Sequence, residues 1–277
     1  MTEDLLTAAG SEPLQRATAS RLAENGLRPG DRVAILRPNS ADVISAVLGA
    51  LRVGVVPVVL DPAMPSHERD AVLQDARPSL VIDSPDRLAW LMNGSADAAP
   101  RLAPVPLARP MHYTSGTSGH RKGVWSGLLS EDHGRALLEE EAALWGFAAD
   151  DVHLVSSLLY HSAPLRFAMY TLLAGGSVTV LPKFTTDGWF CTVKNWRPST
   201  TFLAPAHLQR IQEAALAGDV LPDLSMFRLV AYAGAPCSRP LQDWAHRAFP
   251  DSAVWEFYGS TEGQFTCLLY TSPSPRD

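Results

Sequence analysis

Residues 113–124 read YTSGTSGHRKGV, a run whose residue types suit the binding of a polyphosphate. Across Thr114, Ser115, Gly116, Thr117, Ser118 and Gly119 no side chain is larger than threonine, and Arg121 and Lys122 follow. Glycines let a backbone fold tightly and bring its N–H groups close to a ligand. Hydroxyls add donors, and a lysine adds a mobile point charge. Together they match several negative oxygens crowded into a small volume. The run is not a Walker loop, because Lys122 is followed by Gly123 and not by serine or threonine. A solvated Ser/Gly linker has the same composition, so the run by itself leaves both readings open.

Three further stretches carry chemistry. Leu159–Pro164 reads LYHSAP and sets His161 in a strand-to-helix loop, with Pro205-Ala206-His207 further on. A loop histidine titrates near neutrality, which alone does not make it functional. Ala233-Gly234-Ala235-Pro236 is a small-residue turn against which a flat ring could lie, or an ordinary strand-to-helix turn. Tyr258-Gly259-Ser260-Thr261-Glu262 gathers an aromatic plate, a glycine, hydroxyls and a carboxylate. A carboxylate near phosphates usually holds a bridging magnesium ion, which prefers hard oxygen ligands. An exposed turn has the same composition.

The elements that must position these residues are legible as alternating strands and helices. Residues 32–36 (RVAIL), 55–60 (VVPVVL) and 80–83 read as buried strands, with helices at 15–26, after the cap Asn39-Ser40, and at 67–76. Pro57 assigns its strand to an edge or starts it at Val58. A helix at 87–92 and an Ala/Pro/Asp-rich linker follow, and a short strand at 111–114 feeds the glycine-rich loop. Strands are then expected at 152–156, 177–181, 201–204, 228–233 and 253–257. Helices are expected at 131–144, 164–174, 189–196, 207–216 and 238–249. In the helix at 131–144, Glu139, Glu140 and Glu141 are assigned to the wet side. The alternation predicts an α/β fold built of two parallel units, with the four motifs at strand ends, where such sheets bind ligands.

Composition narrows the partners. The chain has 277 residues, 46% apolar and 19% charged, enough for a core. A net charge of −6 with no basic block argues against nucleic acid. Cys191, Cys237 and Cys267 are far apart and form no CxxC pair, so a reducing, cytoplasmic location is expected. The start, MTEDLLTAAG, lacks the pattern of a signal peptide, and no run of about 18 apolar residues occurs. Residues 267–277, CLLYTSPSPRD, break the periodicity and read as an adapter-derived tail, which would end the native frame at Thr266.

In this order and spacing, YTSGTSGHRKGV, GAP and YGSTE resemble the acyl-adenylate-forming (AMP-binding) superfamily of acyl-CoA synthetases, peptide-synthetase adenylation domains and luciferase-like enzymes. GDRVAILRPNS and RVGVVPVVLDP resemble its opening units, so the likeness runs from about Arg28 to Phe265. The family's phosphate loop commonly reads SGTTGxPKG. Here Ser118 replaces threonine, keeping the hydroxyl, and Arg121 replaces proline, losing a backbone constraint.

The resemblance implies an α/β fold of two parallel units of the large N-terminal domain of these enzymes. Residues 1–266 would be an incomplete part of that domain, cut before the β-barrel, hinge and C-terminal domain. It implies ATP, magnesium and coenzyme A, with a fatty or aromatic carboxylic acid as substrate. Thr114, Ser115, Gly116, Thr117, Ser118, Gly119 and Lys122 would hold the β- and γ-phosphates. Gly234, Ala235 and Pro236 would line the adenine, with Tyr258 stacked on it beside Gly259. Thr261 would touch the α-phosphate and Glu262 would hold magnesium. His161 would meet the carboxylate end of the acyl pocket. Lys122, His161, Thr261 and Glu262 form the implied catalytic set. LLYHSAPLRFA resembles acyl-CoA ligases more than amino-acid-activating domains. A carrier-loading adenylation domain and a catalytically silent nucleotide-binding protein are the alternatives. Because the family's hinge and C-terminal lysine would lie beyond Glu262, the 277-residue chain is expected to bind nucleotide weakly and turn over negligibly.

Overall fold

A computed structural model describes residues 5–95, 100–114, 121–260 and 263–269. Short β-branched runs between turns form strands, and the segments that join them form helices. The first unit runs β1 (Leu6–Thr7), α1 (Ala8–Glu24), β2 (Arg32–Ile35), α2 (Ala41–Leu51), β3 (Val56–Val59), α3 (Ser66–Ala76), β4 (Leu80–Ile82) and α4 (Pro85–Leu91). Strands β2–β4 make a three-stranded parallel sheet in the order β3-β2-β4. Pro57 therefore lies on an edge strand, where a missing N–H costs no ladder bond.

An antiparallel pair, β5 (His112–Thr114) and β6 (Lys122–Val124), follows, then α5 (Glu131–Trp145). The second unit runs β7 (Val152–Val155), α6 (Ser162–Leu173), β8 (Ser177–Val180), α7 (Thr186–Trp196), β9 (Thr200–Leu203), α8 (Pro205–Leu216), β10 (Leu229–Tyr232), α9 (Arg239–Ala248), β11 (Val254–Ser260) and β12 (Gly263–Leu269). Its seven-stranded sheet has the order β1-β8-β7-β9-β10-β11-β12. The five inner strands are parallel, and β1 and β12 pair antiparallel at the two edges. One apolar core joins the units: Val33, Ile35, Val47 and Leu48 belong to the same cluster as Val155, Leu165 and Val178.

Several elements and one side chain depart from the sequence reading. Helix α1 begins at Ala8, seven residues before Gln15, and carries Pro13 inside. Its buried face against α2 is polar: Gln15 Nε2 donates to Ser11 Oγ at 2.9 Å, and Ser11 Oγ meets Ser45 Oγ at 2.9 Å. An apolar-periodicity argument therefore passes over it. Strand β6 was not anticipated. Nor were strands β1 and β12. The side chain is Glu141, which is only 14% exposed and pairs with Arg166 at 3.3 Å, while Glu139 and Glu140 are exposed as expected.

The α1–α2 contact depends on Gly49. A Cβ there would stand 2.6 Å from the carbonyl oxygen of Gln15, a backbone atom that cannot swing aside. Gly49→Ala should therefore cost about 1–3 kcal/mol by overpacking, despite alanine's better helix propensity. Urea unfolding checks this, and an unchanged or raised midpoint would show that α1 moves freely.

Candidate functional site

In the seven-stranded sheet β8 lies on one side of β7 and β9 on the other, so the direction of strand addition reverses between β7 and β9. Open α/β sheets bind ligands beyond the carboxyl ends of their strands at such a reversal. A cavity of about 840 Å³ lies there. Its walls take Ser157 and His161 after β7, Ala204 and His207 around the start of α8, Gly234 and Ala235 after β10, and Phe257 and Gly259 from β11. Helices α5 and α6 close the other side with Leu137, Leu144, Met169 and Leu173.

His161 is the N-cap residue of α6 and stands exposed on the cavity rim. Crowding by surrounding protein lowers its pKa below the ordinary imidazole value, against the opposing charge of Asp61. The shift favours the neutral ring. Below it, His112 is buried with Nδ1 3.3 Å from the carbonyl oxygen of Tyr160, and burial pushes its pKa down to about 4. His207 has a scaffold role. Its Nδ1 accepts from the Ala204 N–H at 3.2 Å, its ring stacks on Phe184 at 4.3 Å, and burial lowers its pKa to about 4.

The sequence places both Asn39 and Ser40 at the cap of α2. Ser40 does cap α2, accepting from Val43 N–H at 3.3 Å. Asn39 instead reaches across to the second unit. Its Nδ2 donates to Ser157 O at 2.9 Å and its Oδ1 accepts from Leu159 N–H at 2.9 Å. This buried amide fixes the loop that carries His161. Its partners lie far away in sequence, so no local signal marks it.

Of the residues to which the family resemblance gives a role, the cavity brings together His161, Gly234, Ala235 and Gly259; Ala206, His207 and Ala233 from the same motifs line it too. Thr114, Lys122, Pro236 and Tyr258 stand outside its lining. Thr114 and Lys122 face each other in register on β5 and β6, with Lys122 exposed. Two side chains tie this pair to α3: Tyr113 donates to Asp75 Oδ2 at 2.5 Å, and Arg121 Nε donates to Glu68 Oε2 at 2.8 Å. Tyr258 is 70% exposed. Gly234 has φ +93°, and a Cβ built there would meet nothing within 4 Å, which leaves open space for a flat ring. Ser115, Gly116, Thr117, Ser118, Gly119, Thr261 and Glu262 lie outside the described residues. Among the described residues no cluster of three His, Cys, Asp or Glu forms a metal site, and no helix is long and apolar enough to cross a membrane.

Two largely parallel sheets with a cavity at the strand reversal define an α/β ligand-binding domain. The AMP-binding enzyme family model matches residues 12–277, and the chain belongs to that family. It is 32% identical over 237 residues to a feruloyl-CoA synthase from Amycolatopsis sp, covering 79% of this chain and 47% of that protein. It is 29% identical over 196 residues to syringomycin synthase SyrB1 from Pseudomonas syringae pv. syringae, covering 64% of this chain and 31% of that one. The crystal structure of ATP-bound MatB from Rhodopseudomonas palustris superposes with a TM-score of 0.72 at 26% identity, covering 95% of this chain and 57% of MatB. The chain spans about half the length of the CoA ligases it matches.

Proposed function

We propose that this chain is part of an acid–thiol ligase that activates a carboxylic acid with ATP and passes the acyl group to coenzyme A. The carrying observation is that one cavity is lined by the Gly234–Ala235 turn, Gly259 and His161 and extends to a recess lined by α5 and α6. That arrangement supports a reading in which a nucleotide and an acyl chain would lie end to end. Adenine would lie against Gly234, Ala235 and Pro236 under the exposed ring of Tyr258. The acid's carboxylate would meet His161, and its body would fill the recess. Leu137, Met169, Phe202 and Phe257 suit a fatty or aromatic body.

In the first step a carboxylate oxygen bonds to the α-phosphorus of ATP and the bond to pyrophosphate breaks. In the second, the CoA sulfur bonds to the acyl carbon, AMP departs and the thiol proton passes to solvent. The substrate supplies the nucleophile, so the protein's work is alignment and charge stabilisation. Residues 114–119 and Lys122 would hold the outer phosphates, Thr261 the α-phosphate, and Glu262 a magnesium ion that neutralises phosphate charge. The likeness to SyrB1 supports a second reading, in which a carrier-bound phosphopantetheine thiol replaces CoA. A cytoplasmic location accords with free Cys191 and Cys237.

Calorimetry of the 277-residue chain tests the nucleotide and acyl halves together, using adenosine and a stable acyl-sulfamoyl adenosine. The joined ligand is expected to bind more tightly than adenosine. Equal affinities, or no binding of either, would sink the reading. Tyr258→Ala should weaken both ligands by about 1–3 kcal/mol, the typical worth of a base–aromatic stack.

A further inference from the structure

The recess between α5 and α6 is not uniformly apolar. Arg166 of α6 and Glu141 of α5 pair at 3.3 Å in its wall, with side chains 22% and 14% exposed. The guanidinium carbon sits 5.8 Å from the centre of the Phe257 ring and 5.9 Å from that of Phe167, so the cation is set into an aromatic wall. Arg109, Glu140 and Tyr170 line the same recess. Burial raises the Glu141 pKa, opposed by Arg166 and Arg109, and burial with the Glu141 charge pushes Tyr170 up to about 12.

An ion pair facing a binding cavity constrains what can fill it. A purely apolar group would strip the pair of its remaining water and return no hydrogen bond. A second carboxylate, though drawn by Arg166 and Arg109, would also meet Glu141 and Glu140, and an ammonium the reverse; either gives up its hydration for no net attraction among two cations and two anions. A neutral hydroxyl avoids both penalties, since it accepts from the guanidinium while donating to the carboxylate. Phe202 and Phe257, with ring centres 5.7 Å apart and tilted by 44°, supply walls for a flat body.

Building on the ligase reading, we infer that the acid is a hydroxylated aromatic acid whose hydroxyl is read by the Arg166–Glu141 pair. Arg166 and Glu141 are then specificity-determining residues of the acyl pocket as well as a link between two helices.

The test uses benzoyl-sulfamoyl adenosine and its ring-substituted forms, carrying a hydroxyl or a carboxylate at each of the three ring positions, bound to the 277-residue chain by calorimetry. At one position the hydroxyl is expected to tighten binding about tenfold or more over the unsubstituted ring, as for a hydrogen bond to a charged group. The carboxylate is expected to weaken it. Arg166→Met leaves a buried carboxylate unpaired and risks unfolding, so the double variant Arg166→Met/Glu141→Leu accompanies it. In the folded double variant the hydroxyl preference should shrink to within about twofold, while the shared adenosine portion binds as before. A wild-type chain that binds the unsubstituted ligand with no hydroxyl preference overturns the inference and leaves the ligase reading intact. So does a preference for the carboxylate, or a hydroxyl preference that survives in the double variant. Loss of all binding in the wild-type chain overturns the ligase reading itself.

Discussion

Asp151→Ala is expected to remove roughly 3 kcal/mol of stability, a large share of what holds a domain together. Asp151 precedes β7 and is 2% exposed. Its Oδ1 accepts from Arg228 Nε at 2.8 Å and from Ser199 Oγ at 2.6 Å, and its Oδ2 accepts from Ala148 N–H at 2.9 Å and from a second Arg228 nitrogen. Arg228 also donates to the carbonyl oxygens of Trp145 at 3.0 Å and Gly146 at 2.8 Å. One carboxylate thus joins the end of α5 to the starts of β7, β9 and β10. Alanine would leave the guanidinium without its counter-charge and Ser199 without its acceptor. Arg228 is 37% exposed, so water softens the loss, which sets the expected value near the low end for a broken buried pair.

The same carboxylate predicts a pH dependence. Burial alone would raise its pKa, but hydrogen bonds from Arg228, Ser199 and Ala148 outweigh burial and hold it below the ordinary 3.8. A depressed carboxylate stabilises the fold fully above the unfolded-state value and loses that contribution as pH falls through the folded-state value. Urea midpoints of the wild-type chain and Asp151→Asn should therefore differ most above about pH 5 and converge in acid. Parallel curves across that range would show that the carboxylate's charge contributes nothing.

Lys122→Ala is expected to weaken ATP binding by about 10- to 100-fold while leaving adenosine binding unchanged, as for the loss of a charged hydrogen bond to phosphate. The lysine is exposed on β6, opposite Thr114, and its removal should move stability by no more than about 0.5 kcal/mol. Lys122→Arg should recover part of the loss, since charge is kept and reach is altered. Titration with ATP and adenosine, with magnesium present in both, separates the outcomes. An equal loss for the two ligands would show that Lys122 does not act on phosphates.

The alternation of strands and helices was legible because it is written locally. Val43, Ile44, Val47, Leu48 and Leu51 recur at helical spacing, all of them fully buried in α2. The Gly234 and Gly259 segments were legible as small-residue breaks after strands, and the structure brings both to one cavity with His161. What was hidden depends on partners distant in sequence. Glu141 looks like one of three consecutive surface glutamates until α6 presents Arg166 to it. Asn39 looks like a cap until the loop after β7 folds against it. The first turns of α1 bury serine and glutamine, residue types that hydrophobic patterning assigns to solvent.

Arg121, where the family commonly has proline, has a consequence beyond its own ion pair. A proline stiffens its segment covalently, at every ionic strength and beside any neighbour. The bond from Arg121 to Glu68, with both side chains 36% exposed, holds only as far as counterions permit. The stiffness of the approach to Lys122 is thereby handed from the chain's covalent chemistry to its solvent, and becomes adjustable without any change of sequence.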